Sequence, residues 1–338
     1  MVPALAVAEE LRAEGAEVVF IGGRRAEAQL VPAAGFPLHT IAVEGLSRSN
    51  PLHAMRALAR AGAAIPRTRA LLSQLAPDAV MGGGGYVAGP VGVAALSMRI
   101  PLVLTEADSH LGVTNRLLAP FARRVCLAFA LPGRDGASYR VTGRPVPPPA
   151  RDRAAARSRF GVRADASCVL VFGGSLGARS INLAAIDAFA NAPFQVLHIS
   201  GRRDYAELAA RDLPPGYDLR EYLSLEDFAE ALSVADLVVA RAGGSVFEIA
   251  AHGLPAILVP YPHASGDHQS ANARWLSDAG AALVIDDDEL SAARLGAEVA
   301  ALLGDRERLA AMSAAASALA RPEAAREVAL ELLKAAAR

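Results

Sequence analysis

Residues 237–273 read LVVARAGGSVFEIAAHGLPAILVPYPHASGDHQSANA. The opening run 237–240 is short and apolar, as a buried strand is, and it meets Arg241-Ala-Gly-Gly244 before a helix that starts at Ser245. Glycines at a strand-to-helix junction let the backbone come close to a ligand, and the first N–H groups of the helix have no internal partners. Such a terminus carries about half a positive charge and suits a phosphate. A second strand over 256–259 precedes a polar loop with His263, Asp267, His268, Gln269 and Asn272. Hydrogen-bonding side chains beside an anion site are what a sugar nucleotide requires. A simpler role stands next to this one: Ser245 and Glu248 also fit an S-x-x-E capping box, and His252-Gly253 fits a helix end.

The chain has 338 residues, which suggests two domains of ordinary size, and 53 % of them are hydrophobic, enough for sizeable cores. A net charge of −1 argues neither for nucleic acid nor for an acidic partner. Basic residues are almost all arginine, the one lysine being Lys334. The two cysteines, Cys126 and Cys168, sit in apolar segments without metal-ligand spacing and read as small buried hydrophobes in a reducing compartment. No apolar run approaches the roughly 20 residues of a membrane span, and no signal peptide opens the chain. A cytosolic protein is expected.

Strands and helices alternate. Helices are predicted over 4–14, 27–34, 52–75, 87–98 and 113–121, with strands over 17–21, 38–43, 79–82 and 102–105 between them. This alternation implies βαβ units, hence a doubly wound α/β domain with a parallel sheet. Such a domain normally opens on a strand and a glycine turn, whereas this chain opens on the helix that should follow them. Residues 131–150, LPGRDGASYRVTGRPVPPPA, are rich in Pro and Gly and mark the domain boundary. The alternation resumes at 168–172 and runs to about residue 303. Two Ala-rich helices, 306–320 and 322–337, close the chain.

Further motifs lie at strand ends. The strand 169–172 runs into Gly173-Gly-Ser-Leu-Gly-Ala-Arg179, which has neither dinucleotide spacing nor a Walker Gly-Lys-Ser/Thr. Paired with Gly243-Gly244, this turn can hold a diphosphate. In the first half, GGGGY (82–86) and Thr105-Glu-Ala-Asp108-Ser-His110 also follow strands, at the edge where open α/β sheets bind ligands. Glu106, Asp108 or His110 could serve as a general base, and Asp108 and Ser109 also fit helix caps. Between Glu44 and Asp78 there is no acidic residue, while Arg48, Arg56, Arg60, Arg67 and Arg69 occur, with Leu52, Met55, Leu58 and Ala59 at helical spacing. Such a segment suits an anionic membrane surface, each Arg contributing about 1 kcal/mol, and it also suits a solvated helix face.

The motifs VPALAVAEEL (2–11), GGGGYVAGP (82–90), LTEADSHLGVTNR (104–116), GGSLGARSIN (173–182), RAGGSVFEIAAHGLPAILVPYPH (241–263) and GDHQSANA (266–273) occur in one order. In them the chain resembles the MurG family, the lipid II-forming N-acetylglucosaminyltransferases of peptidoglycan synthesis. The resemblance spans nearly the whole chain. It implies a GT-B fold: two Rossmann-like lobes facing a cleft, an acceptor lobe over 1–146 and a UDP-GlcNAc lobe over 147–321. The helix 322–338 would pack back on the first lobe. It also implies inverting transfer of GlcNAc from UDP-GlcNAc to the C4 hydroxyl of lipid I, undecaprenyl-diphosphoryl-MurNAc-pentapeptide, at the cytoplasmic face of the membrane. By the resemblance, Glu248 binds the ribose and Gly174 with Ser175 the diphosphate. Gly244 and Ser245 form the helix end facing the α-phosphate, and Gln269 with His268 reads the sugar hydroxyls. Asn115 lies near the GlcNAc and acceptor, and Tyr86 and Glu106 line the first lobe's part of the cleft. Two helix termini can carry the charge of the departing diphosphate, and no Asp-x-Asp signature occurs, so no metal or other cofactor is expected.

Three departures from the family pattern stand out. The family's first strand and GGTGGH-type loop, whose His is a candidate base, are absent, so a mis-called start or a fragment is expected. Thr105-Glu-Ala-Asp108 stands where the family often has His-Glu-Gln-Asn, which leaves Glu106 and His110 as the candidates for catalysis. Gly143-Arg-Pro-Val-Pro147 stands for Gly-Asn-Pro-Val-Arg, leaving Arg144 as the arginine there. The competing readings are another UDP-sugar enzyme of this fold (a diacylglycerol glycosyltransferase or a UDP-GlcNAc 2-epimerase) and an inactive homologue that holds UDP-GlcNAc.

Overall fold

A computed structural model of the chain describes residues 1–41, 43 and 51–337, with the side chains of 51–58 and 265 outside the description. It falls into two compact units, Met1–Val146 with Arg321–Arg338, and Pro147–Ala320. The first unit opens with α1 (Val2–Ala13), β1 (Phe20–Gly22), α2 (Glu27–Ala33), β2 (Leu38–Thr40) and α3 (Pro51–Leu75). It continues with β3 (Val80–Gly82), α4 (Gly85–Ser97), β4 (Leu102–Glu106), α5 (Val113–Leu118), β5 (Arg124–Leu127) and β6 (Tyr139–Val141). The second unit runs α6 (Arg153–Arg159), β7 (Cys168–Phe172), α7 (Arg179–Ala188), β8 (Gln195–Ile199), α8 (Tyr205–Ala209), β9 (Tyr217–Arg220) and α9 (Leu225–Val234). After these come β10 (Leu237–Ala240), α10 (Val246–Ala251), β11 (Ala256–Leu258), α11 (His268–Ser277), β12 (Ala282–Val284), α12 (Ala292–Gly304) and α13 (Arg306–Leu319). The last helix, α14 (Ala324–Ala336), belongs to the first unit. No helix among the described residues is long and apolar enough to cross a membrane.

Every strand pair is parallel. The second unit carries six strands in the order β12-β11-β10-β7-β8-β9, so the order reverses between β7 and β10. Open sheets bind ligands at such a reversal, outside the carboxyl ends of the strands. Helices on both faces explain why β7, β10 and β11 are buried at every position and read as unbroken apolar runs. The first unit has a four-stranded sheet, β3-β4-β5-β6, and a separate β1-β2 pair.

Several sequence expectations change. The strand expected over 17–21 is paired only at Phe20–Gly22, and the one over 38–43 only at Leu38–Thr40. The helix expected to reach 121 stops at Leu118, and a single 3₁₀ turn, Ala119–Phe121, follows it around Pro120. The boundary segment 131–150 is not free of regular structure. It contributes β6, whose Tyr139 pairs with Val125 on β5, a strand the sequence reading also missed. The basic segment read for a membrane face lies partly outside the description, which omits Arg48 and the side chains of Leu52, Met55, Arg56 and Leu58.

β5 and β6 are tied to the last helix by ion pairs as well as by the apolar packing of Cys126 against Val328, Ala329 and Leu332. Glu331 on α14 is 4 % exposed and accepts from Arg124 Nε at 2.7 Å, Arg140 Nη1 at 3.0 Å and Lys334 Nζ at 3.2 Å. Burial alone would raise the pKa of this carboxyl, but its hydrogen bonds from Arg124 and Lys334 prevail and hold the pKa below the usual carboxylate range. Glu331→Gln should cost about 1–3 kcal/mol in urea denaturation at pH 7. A depressed folded value means that the stability is present above the unfolded carboxyl's titration, about pH 4.3, and lost as pH falls through the folded value. The gap between native chain and variant should therefore close on acidification below about pH 4. A gap independent of pH would contradict an ionic tie.

Candidate active site

The two glycine turns of the second unit leave the sheet side by side. Phe172 and Ala240, the last residues of β7 and β10, are register partners, so Gly173 and Arg241 begin their turns from adjacent positions. The first turn is wound tightly. Gly177 has φ +83°, and a Cβ there would lie 2.0 Å from the Ser200 carbonyl oxygen. Across the contact a Cβ on Gly201 would lie 2.1 Å from Gly177 N. Only glycine permits two backbones to come this close. Ser175 and Leu176 at the tip are exposed, and no side chain caps α7.

Beneath this turn lies a buried polar chain. Asn182 Nδ2 donates to Ser200 O at 2.9 Å and to Asp204 Oδ2 at 2.8 Å, and its Oδ1 lies 3.0 Å from His198 Nε2. His198 Nδ1 in turn lies 2.7 Å from the Tyr217 hydroxyl. Burial pushes the imidazole down to about 3, so it stays neutral, and burial likewise pushes the Tyr217 hydroxyl up.

The second turn is held from below by Arg241, which is 9 % exposed. Its guanidinium donates to Val259 O, Pro260 O and Ser180 Oγ at 2.8–3.2 Å and pairs with Asp287 at 2.6 Å. Sequence reasoning quoted this arginine without giving it a role. The available signal was an arginine directly after an apolar strand together with the distant acidic run Asp286–Asp288. Ser245 has helical backbone angles and makes no side-chain cap, so the capping-box reading fails. The first amides of α10, Val246 and Phe247, reach carbonyls only at 3.3 Å.

The polar loop expected around 263–272 is in part a helix: His268, Gln269 and Asn272 lie on α11. Stacking of Trp275 on Phe247, ring centroids 4.8 Å apart, fixes α11 against α10 and thus Gln269 beside the element that carries Glu248. Gln269 Oε1 accepts from Tyr261 N at 2.9 Å, and its Nε2 faces Gly243, where a Cβ would come within 4.0 Å. Asn272, 2 % exposed, donates to Ala242 O at 3.0 Å. In the second unit, Gly174 and Ser175 thus follow β7, Gly244 and Ser245 follow the neighbouring β10, Gln269 faces Gly243, and the half-buried Glu248 lies on α10.

In the first unit, Glu106 at the end of β4 does not present a free carboxylate. Its Oε1 accepts from Ala107 N and Asp108 N, and its Oε2 from Gly112 N and Asn115 Nδ2, all at 2.8–3.2 Å. This is a loop clamp, in which both carboxylate oxygens already accept hydrogen bonds. Asn115, 1 % exposed, also donates to Thr105 O, and its Oδ1 is buried without a hydrogen-bond partner. Gly84 lies against the Asn115 amide, a Cβ there coming within 3.5 Å of Nδ2. His110 is exposed in the clamped loop. Tyr86 points toward β1: its hydroxyl would lie 3.0 Å from a Cβ on Gly23, and the Arg25 guanidinium sits 5.2 Å over its ring. Arg144 shares a small cavity with Pro3 and Glu106.

The glycosyltransferase family 28 N-terminal domain matches residues 1–127, and the C-terminal domain of the same family matches residues 168–328. A protein of Moorella thermoacetica is 41 % identical over 98 % of this chain and 95 % of its own length. That relative bears the name UDP-N-acetylglucosamine--N-acetylmuramyl-(pentapeptide) pyrophosphoryl-undecaprenol N-acetylglucosamine transferase. The chain belongs to glycosyltransferase family 28, among the MurG proteins. The crystal structure of Acinetobacter baumannii MurG superposes with a TM-score of 0.74 at 32 % identity, covering 98 % of this chain and 95 % of that one. The GT-B fold expected of this MurG relative is therefore the fold observed. A Neisseria meningitidis UDP-GlcNAc 2-epimerase bound to UDP-GlcNAc has a TM-score of 0.69 at 13 % identity, over 98 % of this chain and 96 % of that one. At that identity the likeness is one of fold alone.

Gly201→Ala would place a Cβ against backbone at a positive φ of 77°. It should cost at least about 2 kcal/mol in chemical denaturation. A neutral Gly201→Ala would mean that the Gly177 turn is not held by this contact.

Proposed function

We propose that this MurG protein transfers N-acetylglucosamine from UDP-GlcNAc to the C4 hydroxyl of the MurNAc unit of lipid I, releasing UDP and forming lipid II. The register that sets Gly173 and Arg241 side by side carries the reading, since it starts two glycine turns from adjacent strand ends, as a shared diphosphate requires. Full-length kinship with transferases of this name supports the choice of substrates.

The roles follow from the local chemistry. Gly174 and Ser175 on one side, and Gly244 and Ser245 on the other, would present backbone N–H groups to the two phosphates. The acceptor oxygen attacks C1 of GlcNAc from the face opposite UDP, the C1–O bond to the β-phosphate breaks, and its electrons end on the diphosphate. Donors fixed before the reaction stabilise that charge by about 3 kcal/mol each. Glu248 would bind the ribose hydroxyls. Gln269, its carbonyl oxygen already held by Tyr261 N, would offer its amide hydrogens to the sugar, with His268 beside it. Asn115, Tyr86 and Arg144 would line the acceptor side. Glu106 would hold the loop that displays His110, the exposed one of the two base candidates.

The protein would work at the cytoplasmic face of the membrane. Val113, Leu117 and Phe121 are exposed at 46 %, 66 % and 69 %, and Arg116 and Arg123 are exposed among them. Apolar side chains ringed by arginine and free of nearby acidic sequence suit an anionic bilayer surface.

Purified protein given labelled UDP-GlcNAc should form product with lipid I and not with diacylglycerol. Turnover of diacylglycerol alone, or epimerisation without acceptor, would reject this reading. Glu248→Ala should weaken UDP binding by about 1–3 kcal/mol by calorimetry, whereas lost stability with an unchanged Kd would leave the residue only structural. Leu117→Ser with Phe121→Ser should move the protein from the pellet to the supernatant when sedimented with phosphatidylglycerol vesicles. Unaltered co-sedimentation would place the membrane face elsewhere.

A further inference from the structure

Asn272 has no part in the chemistry proposed for the site, yet at 2 % exposure it is one of the most enclosed polar side chains of the second unit. It lies on α11 three residues after Gln269, so the two share a helix face. That face meets the second glycine turn: Gln269 Nε2 lies opposite Gly243, and Asn272 Nδ2 donates to Ala242 O at 3.0 Å and to Gly243 O at 3.4 Å. Trp275, three residues further on, stacks on Phe247 of α10 and keeps the helix in place. The other amide atom of Asn272, Oδ1, is buried with no hydrogen-bond partner among the described residues. An acceptor left in this way costs about 1–3 kcal/mol, which an apolar side chain of similar shape would avoid. What the amide contributes is its donor.

The turn requires one. The N–H groups of Gly243, Gly244 and Ser245 make no backbone hydrogen bond among the described residues, and Val246 N and Phe247 N reach the carbonyls of Gly243 and Gly244 only at 3.3 Å. Little in the turn's own backbone therefore fixes the rotation of its peptide planes. A trans peptide is planar, so its C=O and N–H point in opposite directions. Asn272 draws the carbonyl oxygens of Ala242 and Gly243 inward. The N–H groups of the same two peptides, those of Gly243 and Gly244, must then face outward from a turn that is only half-buried. Released, either peptide can rotate and set a partly negative oxygen where a phosphate oxygen is to lie. We propose that Asn272 is a positioning residue for the departing diphosphate, one that aims the amides of Gly243 and Gly244 at the phosphates without touching them. The inference rests on the reading of this turn as part of the UDP site. Donors fixed beforehand act most strongly where charge grows, so their loss falls on bond breaking more than on ground-state binding.

Asn272→Leu keeps roughly the shape of the side chain and removes its donor, while Asn272→Ala removes both. Calorimetry should show UDP bound at least about ten-fold more weakly by each variant. Uridine, which lacks phosphate, should bind as it does to the native chain by saturation-transfer NMR. With UDP-GlcNAc and lipid I, kcat should fall by a larger factor than KM rises, and circular dichroism melts should show both variants folded. Equal weakening of UDP and uridine, or unchanged UDP binding with a lowered melting temperature, would make Asn272 a packing residue and overturn the proposal. The native chain supplies a check that does not depend on the variants: UDP should move the amide protons of Gly243 and Gly244 downfield, and uridine should not. UDP bound with those amides unmoved removes this inference alone. A native chain that binds no UDP removes the transferase reading and this inference with it.

Discussion

The pairing of β7 with β10 is the constraint on which the second unit depends. These strands follow one another in the sheet but not in the chain, and the order of strands reverses between them. A shift of one residue would move one turn about 3.3 Å along the strand and turn every side chain to the other face. Apolar strands buried on both sides have little preference of their own for register, so polar groups at the ends must set it. At the start, Asp236 Oδ2 accepts from Cys168 N at 2.8 Å while Arg153 holds Oδ1 at 2.6 Å. At the finish, Arg241 reaches the carbonyls of Val259 and Pro260, the serine of α7 and Asp287. Both clamps are charged and partly or wholly sheltered, which makes them costly to break.

Register brings the turns together, and their shape is a separate matter. The Gly177 turn is defined by contact of backbone with backbone, and the Ser200 carbonyl on the other side of that contact is hydrogen-bonded to Asn182. Because His198 stays neutral far below physiological pH, the chain of bonds from Tyr217 to Asp204 keeps one arrangement across the working range. A turn shaped this way is ready before any ligand arrives, which is the condition for donors to stabilise charge without reorganising.

How much of this was legible in the sequence depended on where the deciding interaction lay. The strands β7 and β10 and their glycine turns could be read directly, since apolar runs and glycines are local signals. The strands β5 and β6 could not, because part of what holds them lies on α14, some two hundred positions away: the Glu331 carboxylate and the apolar side chains packed on Cys126. Nor could the helical state of His268 and Gln269: their polarity reads as loop, and the ring stacking of Trp275 on Phe247 ties that segment to α10. Ser245 shows the converse error: its local pattern has a standard meaning, a cap, and the fold gave it helical angles without a cap bond. The four donors that Glu106 receives from its own loop were likewise not legible from its place after a strand.

Net charge conceals how the protein distributes its ions. The whole chain carries −1, yet residues 45–134 hold ten arginines against only Asp78, Glu106 and Asp108. Of those three, Glu106 is turned inward on its own loop. In the second unit, by contrast, arginines are matched locally: Arg159 with Asp227 and Glu230, Arg179 with Asp204 and Glu207, Arg211 with Asp187. Local matching leaves little field beyond a Debye length, about 8 Å at physiological salt, whereas an excess of arginine over acid along one stretch leaves a positive potential. A chain whose overall charge predicts no partner can therefore carry one cationic unit, and that is the unit on which the apolar patch of Leu117 and Phe121 lies.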